Sequence, residues 1–193
     1  ISLDVNVYYK DLFSQVRQVL SSGLGTDINI PGVETRFSSE GYGRTFGAEL
    51  LLRHKLTKNF FGWIAYSLSR FERDGFGPER YRPGPLDQPH NLIVVASYKL
   101  PFDLVVGGRF RFASGPLITP VVASLYDVDG NYYYPLPGVP WSVRLPDFMQ
   151  LDVRIDKRFV FDNWVLALYL DIQNVTNQKN PEGLFYSFNY AQK

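Results

Sequence analysis

Along most of the chain, apolar and polar side chains alternate one by one. In the first segment, Leu3, Val5 and Val7 alternate with Asp4 and Asn6. Strict alternation over several residues is typical of a β-strand with one apolar and one polar face. The pattern predicts an all-β protein with about seven or eight antiparallel, meandering strands. The segments that carry it are residues 3–9, 46–52, 64–68, 92–100, 104–112, 151–155 and 164–172, with a possible eighth at Leu184–Tyr190.

The connections between these segments alternate between short and long. Long loops without structure are uncommon in compact soluble domains, whereas outer-membrane β-barrels have short periplasmic turns and long extracellular loops. We therefore expect the wall of a transmembrane β-barrel, with the first strand running outward from the periplasmic rim. The short connections are Leu56–Phe60, Leu100–Leu104 and Phe159–Trp164, and the long ones are Gln18–Tyr42, Arg73–Pro89 and Ser114–Asp147.

Aromatic side chains are concentrated near the predicted strand ends. Such a distribution favours the aromatic girdles that lie at the two membrane–water interfaces. A well-packed soluble core, which also uses aromatic side chains, is the alternative. The ten positions are Tyr8, Tyr9, Phe13, Phe60, Phe61, Trp63, Phe102, Phe159, Phe161 and Trp164.

Composition excludes several classes of function. The 193 residues contain 20 Lys and Arg against 19 Asp and Glu, so the basic excess of a nucleic-acid binder is absent. There is no cysteine for disulfides or thiolate chemistry. The two histidines, His54 near a short turn and His90 at a strand start, are expected at the rims. No serine lies in a G-x-S-x-G elbow, so we expect no enzyme activity, no cofactor and no metal site.

Charged side chains form ordered rows on the polar faces of the predicted strands. Such rows suit a barrel wall whose inside is wet and whose outside meets lipid. Cross-strand ion pairs on a solvated face explain them equally well and identify no ligand. The lumen-facing candidates are Glu49, Arg53, Arg109, Arg111, Asp152, Arg154, Asp156, Arg158 and Asp171.

One long connection contains a second candidate surface. Tyr132, Tyr133 and Tyr134 follow the run Asp127–Asn131 and are candidates for contact with an extracellular ligand. Packing of the loop tip on its own aromatic residues is an alternative. The Asp127–Asn131 run has a calcium-like composition, but it lacks the full spacing of a calcium-binding loop. An Asp-Gly turn explains this run sufficiently.

Six runs, in this order and spacing, resemble the C-terminal part of the barrel of TonB-dependent outer-membrane receptors. They are Gly41–Leu51 with its G-x-E element, Phe61–Ser69, Asp87–Leu92, Gly107–Gly115, Leu145–Arg154 and Leu170–Asn177.

The resemblance implies that residues 1–193 are a C-terminal segment of the β-barrel. The plug domain, the TonB-box region and the last, aromatic-ended strand of such receptors lack a counterpart in the chain. The parent protein would import a scarce, unidentified ligand across the bacterial outer membrane. Its partners would be outer-membrane lipid and the TonB complex, the latter reached through the missing N-terminal region. Energy would pass through TonB from the inner membrane.

Three other interpretations stay open. A structural or adhesive outer-membrane element would bind a partner through its long loops without transport. A self-contained eight-stranded barrel would need an even strand number and a paired first and last strand. A soluble β-protein is the last alternative, and the difference between the short and long connections counts against it.

Overall fold

The computed structural model describes residues 1–20, 35–74 and 81–191, and the regular structure in these ranges is entirely β. The all-β prediction is therefore confirmed. Within these ranges we find no helix with the length and apolar character to cross a membrane. The strands are β1 (Ser2–Leu20), β2 (Thr35–His54), β3 (Phe60–Asp74), β4 (Tyr81–Pro83), β5 (His90–Leu100), β6 (Leu104–Ala113), β7 (Leu117–Ile118), β8 (Val121–Asp127), β9 (Tyr132–Pro137), β10 (Val143–Arg144), β11 (Phe148–Val160) and β12 (Val165–Ile172).

One antiparallel sheet contains eight of these strands. Its order is β1-β2-β3-β5-β6-β11-β12, with the short β4 paired to the end of β3. The seven long strands correspond to the seven segments predicted from alternation. The remaining strands form two small sheets, β8-β9 and β7-β10.

The strand register makes the alternation continuous across the sheet. In the alternating segments of the seven long strands, apolar-face positions lie opposite apolar-face positions and polar-face positions opposite polar-face positions, so the sheet has one apolar and one polar face. One transverse row of the apolar face consists of Val5, Leu50, Tyr66, Leu92, Phe112 and Met149.

The apolar face is not covered by any other described part of the protein. Val7 is 76% exposed on β1, Leu68 is 46% exposed on β3, and Leu170 is 56% exposed on β12. Among the described residues, Leu145 and Pro120 are the two apolar side chains that are buried. A soluble sheet of this size would bury its apolar face, since that burial is the main favourable contribution to folding.

Short connections join three pairs of neighbouring strands in the structure. The short ones, residues 55–59, 101–103 and 161–164, lie at one end of the sheet, which we call the short-turn rim. The last residues of β1, β3 and β6 and the first residues of β2, β5 and β11 lie at the opposite end of the sheet, which we call the long-loop rim.

All three predicted long connections differ from the structure, and Arg73–Pro89 begins inside β3 and contains β4. Ser114–Asp147 is not a plain loop, because it contains β7 to β10. The predicted loop Gln18–Tyr42 begins and ends inside strands, since β1 and β2 have 19 and 20 residues. A bulge after Leu12, with Ser14 at φ 54°, interrupts the alternation, so the pattern hides the continuation of β1. Residues 21–34 lie outside the described ranges.

The eighth strand predicted at Leu184–Tyr190 is wrong. This segment has no strand pairing and packs instead against the β8-β9 hairpin. The Tyr186 hydroxyl accepts a hydrogen bond from the Val121 backbone N–H at 3.0 Å. The Ser124 hydroxyl donates to the Asn189 carbonyl at 2.8 Å. Side-chain contacts of this kind hold the segment, although its alternation resembles a strand.

The sheet is open, and its two edge strands run in the same direction. Each strand along the path is antiparallel to the next, so the first and seventh, β1 and β12, are parallel to one another. β1 and β12 each pair on one side within the described residues. These two strands therefore cannot close the sheet by pairing antiparallel with each other.

Candidate functional site

All nine charged residues proposed from the sequence lie on the polar face of the sheet. Their strand registers place them there: Arg109 is opposite Asp152, Arg154 is opposite Asp171, and Glu49 is opposite Ser67. That this face lines a lumen stays a prediction. The structure divides the nine into two interacting clusters and three separate positions.

Asp152 is the centre of the first cluster. Its carboxylate is buried, and Oδ2 accepts hydrogen bonds from Arg109 Nε and Nη2 at 3.0 and 2.8 Å. Oδ1 accepts from Gln150 Nε2 at 2.6 Å and from the Asn174 backbone N–H at 3.0 Å. Arg111 donates to Gln150 Oε1 at 2.7 Å. A buried carboxylate with this many donors is a rigid structural centre, since its charge is compensated inside the sheet.

The second cluster joins β11 to β12. The Arg154 guanidinium donates to both carboxylate oxygens of Asp156 at 2.8–3.1 Å. It also lies 4.0 Å from the Asp171 carboxylate and 4.3 Å from the centre of the Tyr169 ring. These groups are about half exposed, and with the first cluster they line a cavity of about 420 Å³. The arrangement gives the face fixed, mixed charge accessible to a polar occupant.

Glu49, Arg53 and Arg158 lie outside both clusters. Glu49 lines a separate cavity of about 410 Å³ on the same face, together with Asp4, Asn6, Ser67 and Asn91. Arg53 is opposite Trp63, and Arg158 is opposite Ala167 near the short-turn rim.

The three candidate tyrosines lie on β9 and pack within the long-loop region. Tyr133 contacts the Tyr126 ring at 4.9 Å and the Phe188 ring at 5.6 Å. Tyr132 and Tyr134 contact each other at 4.4 Å. Packing of the loop on its own aromatic residues therefore accounts for much of this cluster, although Tyr132 is still 37% exposed.

A tight turn joins β8 to β9, as the Asp-Gly interpretation predicted. Asp127 Oδ1 accepts hydrogen bonds from the backbone N–H groups of Asp129 and Gly130, both at 3.0 Å. Asn131 has φ 51° and accepts a hydrogen bond from the Tyr126 hydroxyl. The side chain that suggested calcium is thus engaged in ordering the turn.

Sequence reasoning missed the most buried charged group, Asp87. This carboxylate is fully buried and accepts hydrogen bonds from Arg144 at 2.7 Å, Arg70 at 3.3 Å and the Phe71 backbone N–H at 3.0 Å. Arg144 also donates to the backbone carbonyls of Asp87 and Gly115. Asp87 and Arg144 lie 57 positions apart, so no local pattern announces their pairing.

The short-turn rim combines exposed aromatic side chains with one ion pair. Phe102 is 88% exposed and Trp164 is 56% exposed, the latter stacked on Phe161 at 4.1 Å. Lys99 lies 3.2 Å from Asp103, and its hydrogen bond and positive charge lower the pKa of that carboxyl below its ordinary value. Exposed rings beside charged groups suit a membrane–water interface.

Both histidines lie where the sequence predicted them. His54 is on the apolar face near the short-turn rim, with its ring 5.1 Å from Phe60. His90 begins β5, and its Nδ1 shares a hydrogen bond of 2.7 Å with the Tyr66 hydroxyl.

Comparison with known proteins gives no relative for this chain. No protein-family model matches it, and neither curated proteins nor solved structures give a match. The similarity of its sequence runs to TonB-dependent receptors stays a prediction.

Proposed function

We propose that the chain is part of the wall of a bacterial outer-membrane β-barrel. In the parent protein, this barrel imports a scarce ligand in the manner of TonB-dependent receptors. The observation that carries the barrel proposal is the uncovered apolar face shared by seven paired strands. Contact with lipid removes the free-energy cost of exposing the apolar side chains of that face to water.

Strand lengths support a membrane position. A transmembrane β-strand needs about 9–11 residues when it is tilted by about 45°. β5 has 11 residues, β6 has 10 and β11 has 13. Their apolar faces therefore have the length of a bilayer core.

Sheet topology supports a larger barrel over a self-contained small one. Bacterial barrels of one chain have an even number of antiparallel strands. Because β1 and β12 are parallel, antiparallel closure requires an odd number of additional strands. Leu184–Tyr190 does not supply one, and β4 is a short addition to β3.

The receptor part of the proposal rests on two features. The polar face carries ordered mixed charge, as expected of a wall that encloses water and a hydrophilic occupant. Six sequence runs between Gly41 and Asn177 resemble TonB-dependent receptors in order and spacing. Neither feature names a ligand, so siderophore, cobalamin, sugar and peptide remain candidates.

Cysteine labelling tests the two faces directly. The chain contains no cysteine, so labelling that appears in the substituted full protein and not in the unsubstituted one reports the introduced position. Glu49 and Leu50 are neighbours on opposite faces of β2. In cells that express the full protein, E49C should react with a charged, water-soluble maleimide, and L50C should react with a lipid-soluble one. Equal reaction of both thiols with the charged reagent would overturn the membrane-wall proposal.

Uptake measurements test the receptor part separately. Cells with and without the full protein are compared for uptake of labelled ferric siderophore, cobalamin, oligosaccharide and peptide. Uptake that needs both the protein and TonB supports the receptor proposal. Uptake that is unchanged for all four classes, by a protein whose thiols label as a membrane wall, contradicts it.

An adhesive or structural barrel is the second candidate, and one observation favours it. The β8-β9 hairpin in the long-loop region exposes the apolar side chains Val122, Leu125 and Val128, which are 67%, 56% and 77% exposed. Exposed apolar groups in one region favour a protein partner. Cell–cell or cell–surface attachment that is lost on removal of residues 121–137, with uptake unchanged, would favour this function.

A further inference from the structure

Near the long-loop rim, the side chains on the apolar face change from apolar to charged. On neighbouring strands, Ala48 lies opposite Leu68. Further along the same two strands, Arg44 lies opposite Glu72 on that same face. In the membrane position proposed above, this change from apolar to charged side chains corresponds to the boundary between acyl chains and lipid headgroups.

A cavity of about 840 Å³ lies across this boundary. We call it the rim pocket. Apolar side chains line one part of the rim pocket, and aromatic and charged side chains line the other part. The apolar part contains Val7, Ala48 and Leu68, and the second part contains Tyr9, Arg44, Phe46, Arg70 and Glu72.

Neighbouring groups hold the two guanidinium groups of the rim pocket in place. Arg44 donates from Nε to Glu72 Oε2 at 2.7 Å and lies 4.1 Å from the centre of the Tyr81 ring. Arg70 lies 3.5 Å from Glu72 and 3.3 Å from the buried Asp87. Each guanidinium has more N–H donors than these contacts use. Arg44 Nη2 also lies 2.7 Å from Glu72 Oε2, so the Nη1 group of Arg44 and the Nη2 group of Arg70 are the donors that these contacts leave for an additional oxygen-rich group.

We infer that the rim pocket binds a phosphate-bearing lipid from the surrounding membrane. Its phosphate accepts hydrogen bonds from Arg44 and Arg70, because guanidinium groups match phosphate oxygens in geometry and charge. An acyl chain lies along Val7, Ala48 and Leu68. This inference rests on the proposed function, since it requires the apolar face to meet a bilayer.

The combination of groups favours a lipid over a soluble anion. A free phosphate would use the guanidinium groups and leave the apolar part of the cavity empty. A neutral lipid would fill the apolar part and leave the donors unused. A phosphorylated amphiphile satisfies both parts, and the nearby Tyr9 and Phe46, stacked 6.3 Å apart, suit the interface between them.

Native mass spectrometry of the full protein, extracted from vesicles, tests the inference. The vesicles contain phosphatidylcholine with either phosphatidic acid or a diacylglycerol of the same acyl chains. The variant R44Q/R70Q removes the guanidinium groups, and A48W fills the apolar part with both arginines intact. K55Q/K58Q is the matched control, since it removes two positive charges at a short turn. If R44Q/R70Q does not insert into the membrane, R44K/R70K replaces it as the test variant.

The wild type and K55Q/K58Q should retain phosphatidic acid in preference to diacylglycerol. R44Q/R70Q should lose this preference roughly tenfold, as expected for lost hydrogen bonds to a charged group. A48W should also bind less lipid, and R44K/R70K should bind with intermediate preference. Equal retention by wild type and R44Q/R70Q, or displacement of the lipid by inorganic phosphate alone, would overturn the inference. In those cases the protein still floats with the vesicles, whereas a protein that never inserts contradicts the proposed function itself.

Discussion

The Arg144 guanidinium donates hydrogen bonds to both the carboxylate and the backbone carbonyl of Asp87, at 2.7 and 2.6 Å. Through this contact β10, in the long connection between β6 and β11, is fixed to the connection that precedes β5. Arg70, on β3, donates a hydrogen bond to the same carboxylate. The long-loop rim is therefore anchored to the sheet by one fully buried charge.

Replacement of Arg144 by alanine should loosen the long-loop rim. Removing one partner of a buried pair leaves an uncompensated charge, and the cost is about 3 kcal/mol or more. Hydrogen exchange of the residue 114–147 segment in detergent should increase, while β5 and β6 stay protected. The double variant D87N/R144Q keeps polar groups without a buried charge and should recover much of the protection. If residues 114–147 exchange no faster in R144A than in D87N/R144Q, this role of the buried pair is contradicted.

Asp152 and Asp171 make a matched pair for testing the polar face. D152A leaves Arg109 and the Asn174 N–H without their acceptor, so we expect a loss of about 2 kcal/mol in unfolding free energy. D171A removes a half-exposed group that lies 4.0 Å from the Arg154 guanidinium, and it should cost less than about 1 kcal/mol. Urea unfolding of the protein in detergent measures both. Equal losses would mean that burial of Asp152 does not set its contribution.

The strands could be predicted from the sequence because their signal is local. Alternation between two faces is a property of each segment, and the register then joins the faces of all seven strands. The continuation of β1 could not be predicted, since the bulge near Ser14 breaks the alternation. Leu184–Tyr190 shows the opposite failure: its side chains alternate, but contacts with Val121 and Ser124 hold it away from any sheet.

The candidate site was predictable to a similar degree. Charge rows on the polar face follow from alternation, so all nine residues lie on one side. Which of them interact depends on the register between strands that are neighbours in the sheet but distant in sequence. Arg109 and Asp152, for example, lie 43 positions apart. The Asp87–Arg144 contact has no sequence pattern at all, because it joins two long connections.

Phe102 lies in a left-handed conformation, with φ 64°, and is 88% exposed. A non-glycine residue in this region costs about 1–2 kcal/mol. Stability in water gives no reason to keep a phenylalanine there, whereas an interface with lipid does. F102G should therefore be about 1 kcal/mol more stable in detergent than F102A, which keeps the strain. Both variants should partition into vesicles more weakly than the wild type. Unchanged partitioning would remove Phe102 from the proposed interface.

Phe188 should hold the 184–191 segment against the β8-β9 hairpin. Its ring lies edge-on to Tyr133 at 5.6 Å, although 73% of the residue is exposed. An edge-to-face aromatic pair contributes about 0.5–1.5 kcal/mol beyond area burial, so F188A should increase amide exchange at β8 and β9. Phe185 is 89% exposed in the same segment, and F185A is the matched control with little expected change. Equal effects of the two variants would show that general loss of apolar surface, and not the contact with Tyr133, determines the stability of the hairpin.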